Sequence, residues 1–157
     1  MAKDKKLEKT VIEKEVAKKD YIFAVGRRKE AVARVRLYRK DNVSWNEILV
    51  NKGDIFINKQ KAEDYFLRDA SFYREPLRIT NTEKKFAITV AVVGGGKKGQ
   101  LEATVLGIAR ALDKLDKEKF RPILKKKGFL TRDQRARERR KVGMGGKARR
   151  RKQSPKR

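Results

Sequence analysis

The stretch FAITVAVVGGGKKGQLEATVLGIARALDKL, residues 86–115, changes character twice within 30 residues. Phe86 to Val93 is an unbroken apolar and β-branched run, too short for a buried helix and closed by Gly94-Gly95-Gly96. That pattern predicts a central strand. From Gln100 to Leu115, the residues Leu101, Val105, Ile108, Ala109, Leu112 and Leu115 fall on one stripe, the spacing of an amphipathic helix lying on a sheet.

On the N-terminal side the period is two. Tyr21, Phe23 and Val25 alternate with smaller residues, and beyond Gly26-Arg27-Arg28-Lys29 the set Ala31, Ala33, Val35, Leu37 alternates with Val32, Arg34, Arg36 and Tyr38. Two strands with one wet face follow. Asp41-Asn42 marks a loop. Ile48-Leu49-Val50 and Ile55-Phe56-Ile57, separated by Asn51-Lys52-Gly53-Asp54, read as a hairpin. Lys61 to Phe72 carries apolar residues at helical spacing (Ala62, Tyr65, Phe66, Ala70) and predicts a short helix ending before Pro76. On the C-terminal side a second helix is expected from near Asp116 to Lys127, with Pro122 near its first turn, Ile123 and Leu124 inward and Gly128 as the stop. The organisation expected is a charged extension over residues 1–20, disordered when free, a folded body over 21–128, and a basic tail over 129–157.

A chain of 157 residues supports one modest core. Forty-five Lys and Arg against 20 Asp and Glu give a net charge of +25, which calls for a polyanionic partner. From Arg121 onward 17 basic residues face Asp133 and Glu138, a net +15, leaving +10 for residues 1–120. Cysteine and histidine are both absent, which removes disulfides, thiolate nucleophiles, imidazole bases and the usual zinc ligands. No cofactor, metal or small-molecule substrate is therefore expected. No apolar run approaches the roughly 20 residues of a membrane span, and the basic N-terminus lacks a signal-peptide core, so a cytoplasmic protein is expected.

Three groups of cations are candidate phosphate contacts. Gly94 to Gln100 holds Lys97 and Lys98 between strand and helix, where glycine amides and a helix N-terminus favour an anion. The spacing is not that of a nucleotide-hydrolysing phosphate loop. An RNA backbone site and a plain turn stand as alternatives here. Arg27, Arg28 and Lys29 gather at a strand connection, open either to phosphate or to solvent. In the tail, Arg132, Arg135, Arg137, Arg139, Arg140 and Lys141 follow Thr131, a candidate N-cap for one or two basic helical turns; Lys147, Arg149, Arg150, Arg151 and Lys152 form a second cluster. Tyr21, Phe23, Phe56, Phe66 and Phe86 are expected in the core, so recognition would rest on phosphates more than on bases.

Taken together, Gly26-Arg27-Arg28-Lys29, Ala31-Val32-Ala33-Arg34-Val35, Asp64-Tyr65-Phe66, the segment Gly94 to Gln100, Gly107 to Leu112, Lys127 to Asp133, and the basic ending to Arg157 strongly resemble the family of bacterial small-subunit ribosomal protein nine. The resemblance implies an α+β body like the second domain of ribosomal protein five, a small β-sheet backed by helices with a left-handed β-α-β crossover, and a long extended basic tail. It also implies binding to the 3′ major domain of 16S rRNA in the subunit head, beside neighbouring head proteins. The tail would reach the peptidyl-tRNA site, where Lys156 and Arg157 approach the P-site tRNA. Val105-Leu106 stands where the family usually has Arg-His, and Ser154-Pro155 departs from the usual tail. Two other classes share some of these features: an architectural DNA condenser, separable by comparing binding to folded RNA and to duplex DNA, and a phosphotransferase, separable by a nucleotide-binding assay.

Overall fold

The computed structural model describes residues 20–67 and 71–137. The alternating residues form β1 (Tyr21–Arg28) and β2 (Ala31–Tyr38), paired antiparallel in full register from Tyr21 opposite Tyr38 to Arg28 opposite Ala31. The apolar run forms β7 (Ala87–Val93), which pairs antiparallel with β2. Beyond it lie β5 (Ile55–Ile57), parallel to β7, and the short β6 (Gln60–Lys61), giving the order β1-β2-β7-β5-β6. Helices α1 (Ala62–Phe66) and α2 (Glu75–Ile79) lie in the connection between β6 and β7, and α3 (Lys97–Leu115) and α4 (Lys117–Lys126) follow. The fold is α+β, a mainly antiparallel sheet backed by helices.

Alternation sends Ala24, Ala33, Val35, Leu37, Ile55, Ile57, Ile88, Val90 and Val92 to one face, where they are buried with Leu101, Ile108 and Leu112 of α3. On the opposite face a separate cluster of Tyr38, Val50, Phe56 and Ala87 is covered by Val43, Trp45 and Ile48. These covering residues belong to the small hairpin of β3 (Val43–Trp45) and β4 (Ile48–Val50). No helix among the described residues is long and apolar enough to cross a membrane.

Several elements differ from expectation. Ile48-Leu49-Val50 pairs backwards with β3, and β5 pairs with β7 and β6, so the hairpin spanning residues 48–57 does not form. The reversals occur at Asn46-Glu47 and Asn58-Lys59, where all four residues have positive φ, the backbone of a tight two-residue turn whose first position suits asparagine. The helix expected over 61–72 is limited to Ala62–Phe66; a 3₁₀ turn at Phe72–Arg74 leads into α2, with Pro76 in its first turn. Proline's fixed φ and missing N–H make it a starter there, not a boundary. Helix α3 begins three residues early, so Lys97 and Lys98 lie in its first turn. Pro122 is inside α4, whose start is capped by Asp116 accepting from the Lys119 N–H at 3.2 Å. Leu124 is fully buried and Ile123 is 41% exposed, because the inward stripe of α4 runs Phe120 to Leu124 at i, i+4 spacing. Phe23 is likewise 41% exposed and Tyr21 half-buried, on the outer face of β1, whereas Phe56, Phe66 and Phe86 are buried.

Helix α3 crosses β1 without side chains between the backbones. A Cβ on Gly26 would collide with the Ala103 carbonyl and sit 2.5 Å from the Gly107 nitrogen, and one on Gly107 would sit 2.5 Å from Val35 Cγ2. Backbone atoms cannot move aside as a side-chain tip can. Gly26→Ala is therefore expected to cost at least about 3 kcal/mol. Gly99→Ala, a helical position with only ordinary contacts beyond 3.5 Å, should stabilise by about 0.5–1 kcal/mol. Urea unfolding of both variants checks this, and equal midpoints would refute the close crossing.

Candidate nucleic-acid interface

Side-chain parity along β1 separates two adjacent arginines. Ala24, Gly26 and Arg28 face the helix side, whereas Phe23, Val25 and Arg27 face outward. Arg27 is exposed at the end of the strand, not in the turn, which consists of Lys29 and Glu30; Lys29 is exposed with φ +50. Arg28, expected to be a cation with little burial, is 9% exposed. Its Nε pairs with Glu102 on α3, its Nη2 lies 3.1 Å from Asp133, and its Nη1 donates to the Arg135 carbonyl. One guanidinium thus ties together strand, helix and the root of the tail, a use its planar donor fork suits.

The tail root has a local conformation of its own. Gly128 closes α4 with φ +77, Phe129 and Leu130 pack on the core, and residues 132–137 are non-helical. The basic helical turns expected after Thr131 are thus absent from the described part. Asp133 explains this: its carboxylate accepts from the Arg135 backbone N–H at 2.9 Å and from the Arg135 guanidinium at 2.7 Å, a local bond that competes with helix. Those contacts, the guanidinium first, with the Arg28 charge adding to them, hold the Asp133 carboxyl well below the usual carboxylate range.

The glycine-rich segment is shaped by packing. Gly94 (φ +74) and Gly95 (φ +63) pass directly over the β1–β2 turn, where a Cβ would strike the Glu30 carbonyl or the Ala31 side chain. Lys97 sits over the Tyr65 ring, 3.4 Å from its centroid, and donates to the Tyr65 carbonyl at 3.2 Å. Lys98 is exposed. Arg132 is also exposed, and Arg135 is exposed yet paired with Asp133. The remaining candidates, Arg139, Arg140, Lys141, Lys147, Arg149, Arg150, Arg151, Lys156 and Arg157, lie outside the described residues. Val105 and Leu106 are buried, so this stretch of α3 presents no surface to a ligand.

Sequence reasoning passed over two cations with structural work. Arg110 donates to the Val25 carbonyl at 2.9 Å and Lys114 to the Phe23 carbonyl at 2.8 Å, covering the outward carbonyls of edge strand β1. It also passed over Arg34 and Arg36, exposed on the outer face of β2. Parity at positions 24, 26 and 28 and at 34 and 36 carried the signal for Arg28 and for this pair.

Exposed cations on an α+β body of net charge +25 define a strongly basic protein whose surface suits a polyanion. The family described as ribosomal protein S9/S16 matches residues 26–157. The chain is 45% identical over 130 residues to the small ribosomal subunit protein uS9 of Maridesulfovibrio salexigens, covering 82% of this chain and 91% of that protein. It is 45% identical over 126 residues to that of Amoebophilus asiaticus, covering 79% and 89%. The chain belongs to the ribosomal protein S9/S16 family, whose members are structural, non-enzymatic components of the ribosome.

Arg28→Ala leaves Glu102 and Asp133 without their shared partner and is expected to destabilise by about 2–4 kcal/mol, against less than about 0.5 kcal/mol for Arg27→Ala. Hydrogen exchange at residues 131–136 should rise in the first variant alone. Because the Asp133 pKa is depressed in the folded protein, its contribution is complete above the unfolded carboxylate value of about 3.9 and lost as pH falls toward the folded value. Exchange protection of the tail root should therefore survive at pH 5 and fail only in stronger acid.

Proposed function

We propose that the chain is a structural constituent of the small ribosomal subunit in the cytoplasm, where it binds 16S rRNA of the 3′ major domain in the subunit head among neighbouring head proteins. Its tail extends toward the P-site tRNA. The observation that carries this reading is the partition of charge in a member of this family. Residues 138–157 hold ten Lys and Arg against Glu138 alone, and they follow a tail root clamped to the body by Arg28. Such a run of cations is the complement of a phosphate backbone, each phosphate neutralised releasing counterions. Of the cations singled out in the sequence, Arg27, Lys29, Lys98 and Arg132 are exposed on the body and tail root and would join it. Lys97 is better placed to fix the loop than to leave it.

Binding to the transcribed 3′ major domain should weaken steeply with salt, since each phosphate neutralised on a duplex adds about −0.9 to the log–log slope. Truncation after Arg137 keeps the clamp and should reduce the slope by several units, while circular dichroism stays unchanged. A slope independent of the tail would refute its role.

Lys156 and Arg157 lie beyond the Arg149 to Arg151 cluster and can reach only a phosphate or two, worth about 1–3 kcal/mol. Deleting both should leave incorporation into reconstituted subunits intact and accelerate tRNA dissociation from the peptidyl site, an effect on the off-rate. Equal dissociation rates at matched Mg²⁺ and salt would remove the tRNA contact.

A further inference from the structure

Among the described residues, the outer face of the main sheet is only half covered. The β3–β4 hairpin closes the end that carries Tyr38, Phe56 and Ala87, and the other end is open. Register places Arg27 opposite Val32, Arg34 between Val25 and Ala91, and Arg36 between Phe23 and Thr89. All three arginines are exposed, as are Phe23 at 41% and Val93 at 64%.

We propose that this uncovered half-face is an RNA-backbone site, in which Arg27, Arg34 and Arg36 hold phosphates above an apolar floor of Phe23, Val25 and Val93. It rests on the reading that the chain binds small-subunit rRNA and locates a contact surface for it outside the tail. The charge balance selects the partner. Arg28, Arg74, Arg78, Arg121 and Arg135 are each paired with a carboxylate. Among the described residues none of Arg27, Arg34 and Arg36 is. The acids flanking β1 in sequence are Glu30, in the β1–β2 turn, and Asp20, which is occupied by Lys40 at 2.8 Å. Same-face neighbours on one strand stand roughly 7 Å apart, a spacing comparable with successive phosphates, and like charges that close repel one another until an anion separates them. Arg36 lies against the Tyr21 ring, 5.2 Å from its centroid, which steadies the guanidinium plane and leaves its edge N–H groups to donate outward.

A protein strand is the poorer fit. The outward carbonyls of Phe23 and Val25 on edge strand β1 already accept from Lys114 and Arg110, so the edge is closed to strand addition and a partner must come onto the face. There it meets three cations, the complement of a polyanion.

The test uses the full chain, the transcribed 3′ major domain of 16S rRNA as probe, and a salt series. Arg34→Gln with Arg36→Gln should keep the wild-type circular dichroism, bind on the order of tenfold more weakly and reduce the slope by about 2, one phosphate per arginine. Arg34→Lys with Arg36→Lys should restore the slope. Wild-type affinity and slope in the Gln pair, with the wild-type chain binding normally, would sink the half-face while leaving the ribosomal reading intact. Unchanged RNA binding with reduced incorporation into reconstituted subunits would assign the face to a neighbouring protein and overturn the proposal. A wild-type chain that fails to bind the RNA at all would overturn both.

Discussion

Strand β1 and helix α3 cross where neither has a side chain to interpose, Gly26 against Ala103 and Gly107. That contact sets the register of the whole helix on the sheet. Running antiparallel to β1, α3 brings Glu102 to Arg28, Arg110 to the Val25 carbonyl and Lys114 to the Phe23 carbonyl. These interactions recur along the same flank of the helix, so a Cβ at the crossing would lift them all together. Close backbone approach also explains why a helix with buried residues on most of its circumference can bury them, between the sheet on one side and α2, α4 and the 3₁₀ turn on the others.

The constraint extends to the charge balance. Seven carboxylates of the described chain, including Glu102, Asp113 and Asp133, are held in ion pairs. Most of these pairs are exposed and contribute little to stability. Their larger consequence is spatial. Where an acid stands beside a cation the local field is largely cancelled, and where a cation has no such partner among the described residues, as at Arg27, Arg34 and Arg36 on the outer face of β1 and β2, its charge is left unbalanced. A chain of net charge +25 thus keeps its unbalanced charge on particular surfaces instead of spreading it evenly.

Periodicity made β1, β2, β7 and α3 legible, because each buries a regular stripe. It failed where pairing is not local. Nothing in Ile55-Phe56-Ile57 says that its neighbour is a parallel strand some 30 residues on, and the Asn51 to Asp54 segment has turn composition without being the turn of a hairpin. The real reversals at Asn46-Glu47 and Asn58-Lys59 lack the glycine that usually advertises them. For the site, residue type was legible and direction was not. Arg27 and Arg28 look alike in sequence, and the pleat alone sends one to solvent and the other to Glu102 and Asp133.

That difference in direction bears on how a body and a tail act together. A basic segment on a loose joint loses part of its binding free energy to the freedom of its first residues, since every backbone unit fixed costs about 1–2 kcal/mol. Packing Phe129 and Leu130 on the core, and fixing Asp133 and the Arg135 carbonyl on Arg28, meets that cost during folding, before any partner arrives. On the proposed function, the cations beyond Arg137 then leave the body from a fixed point, which raises their effective concentration near the RNA the body already holds. The clamp needs a buried arginine to do this, and the buried arginine needs Glu102 to be tolerable. Since Glu102 is set in place by the glycine crossing one residue away at Ala103, the origin of the tail is fixed by the same contact that seats α3 on the sheet.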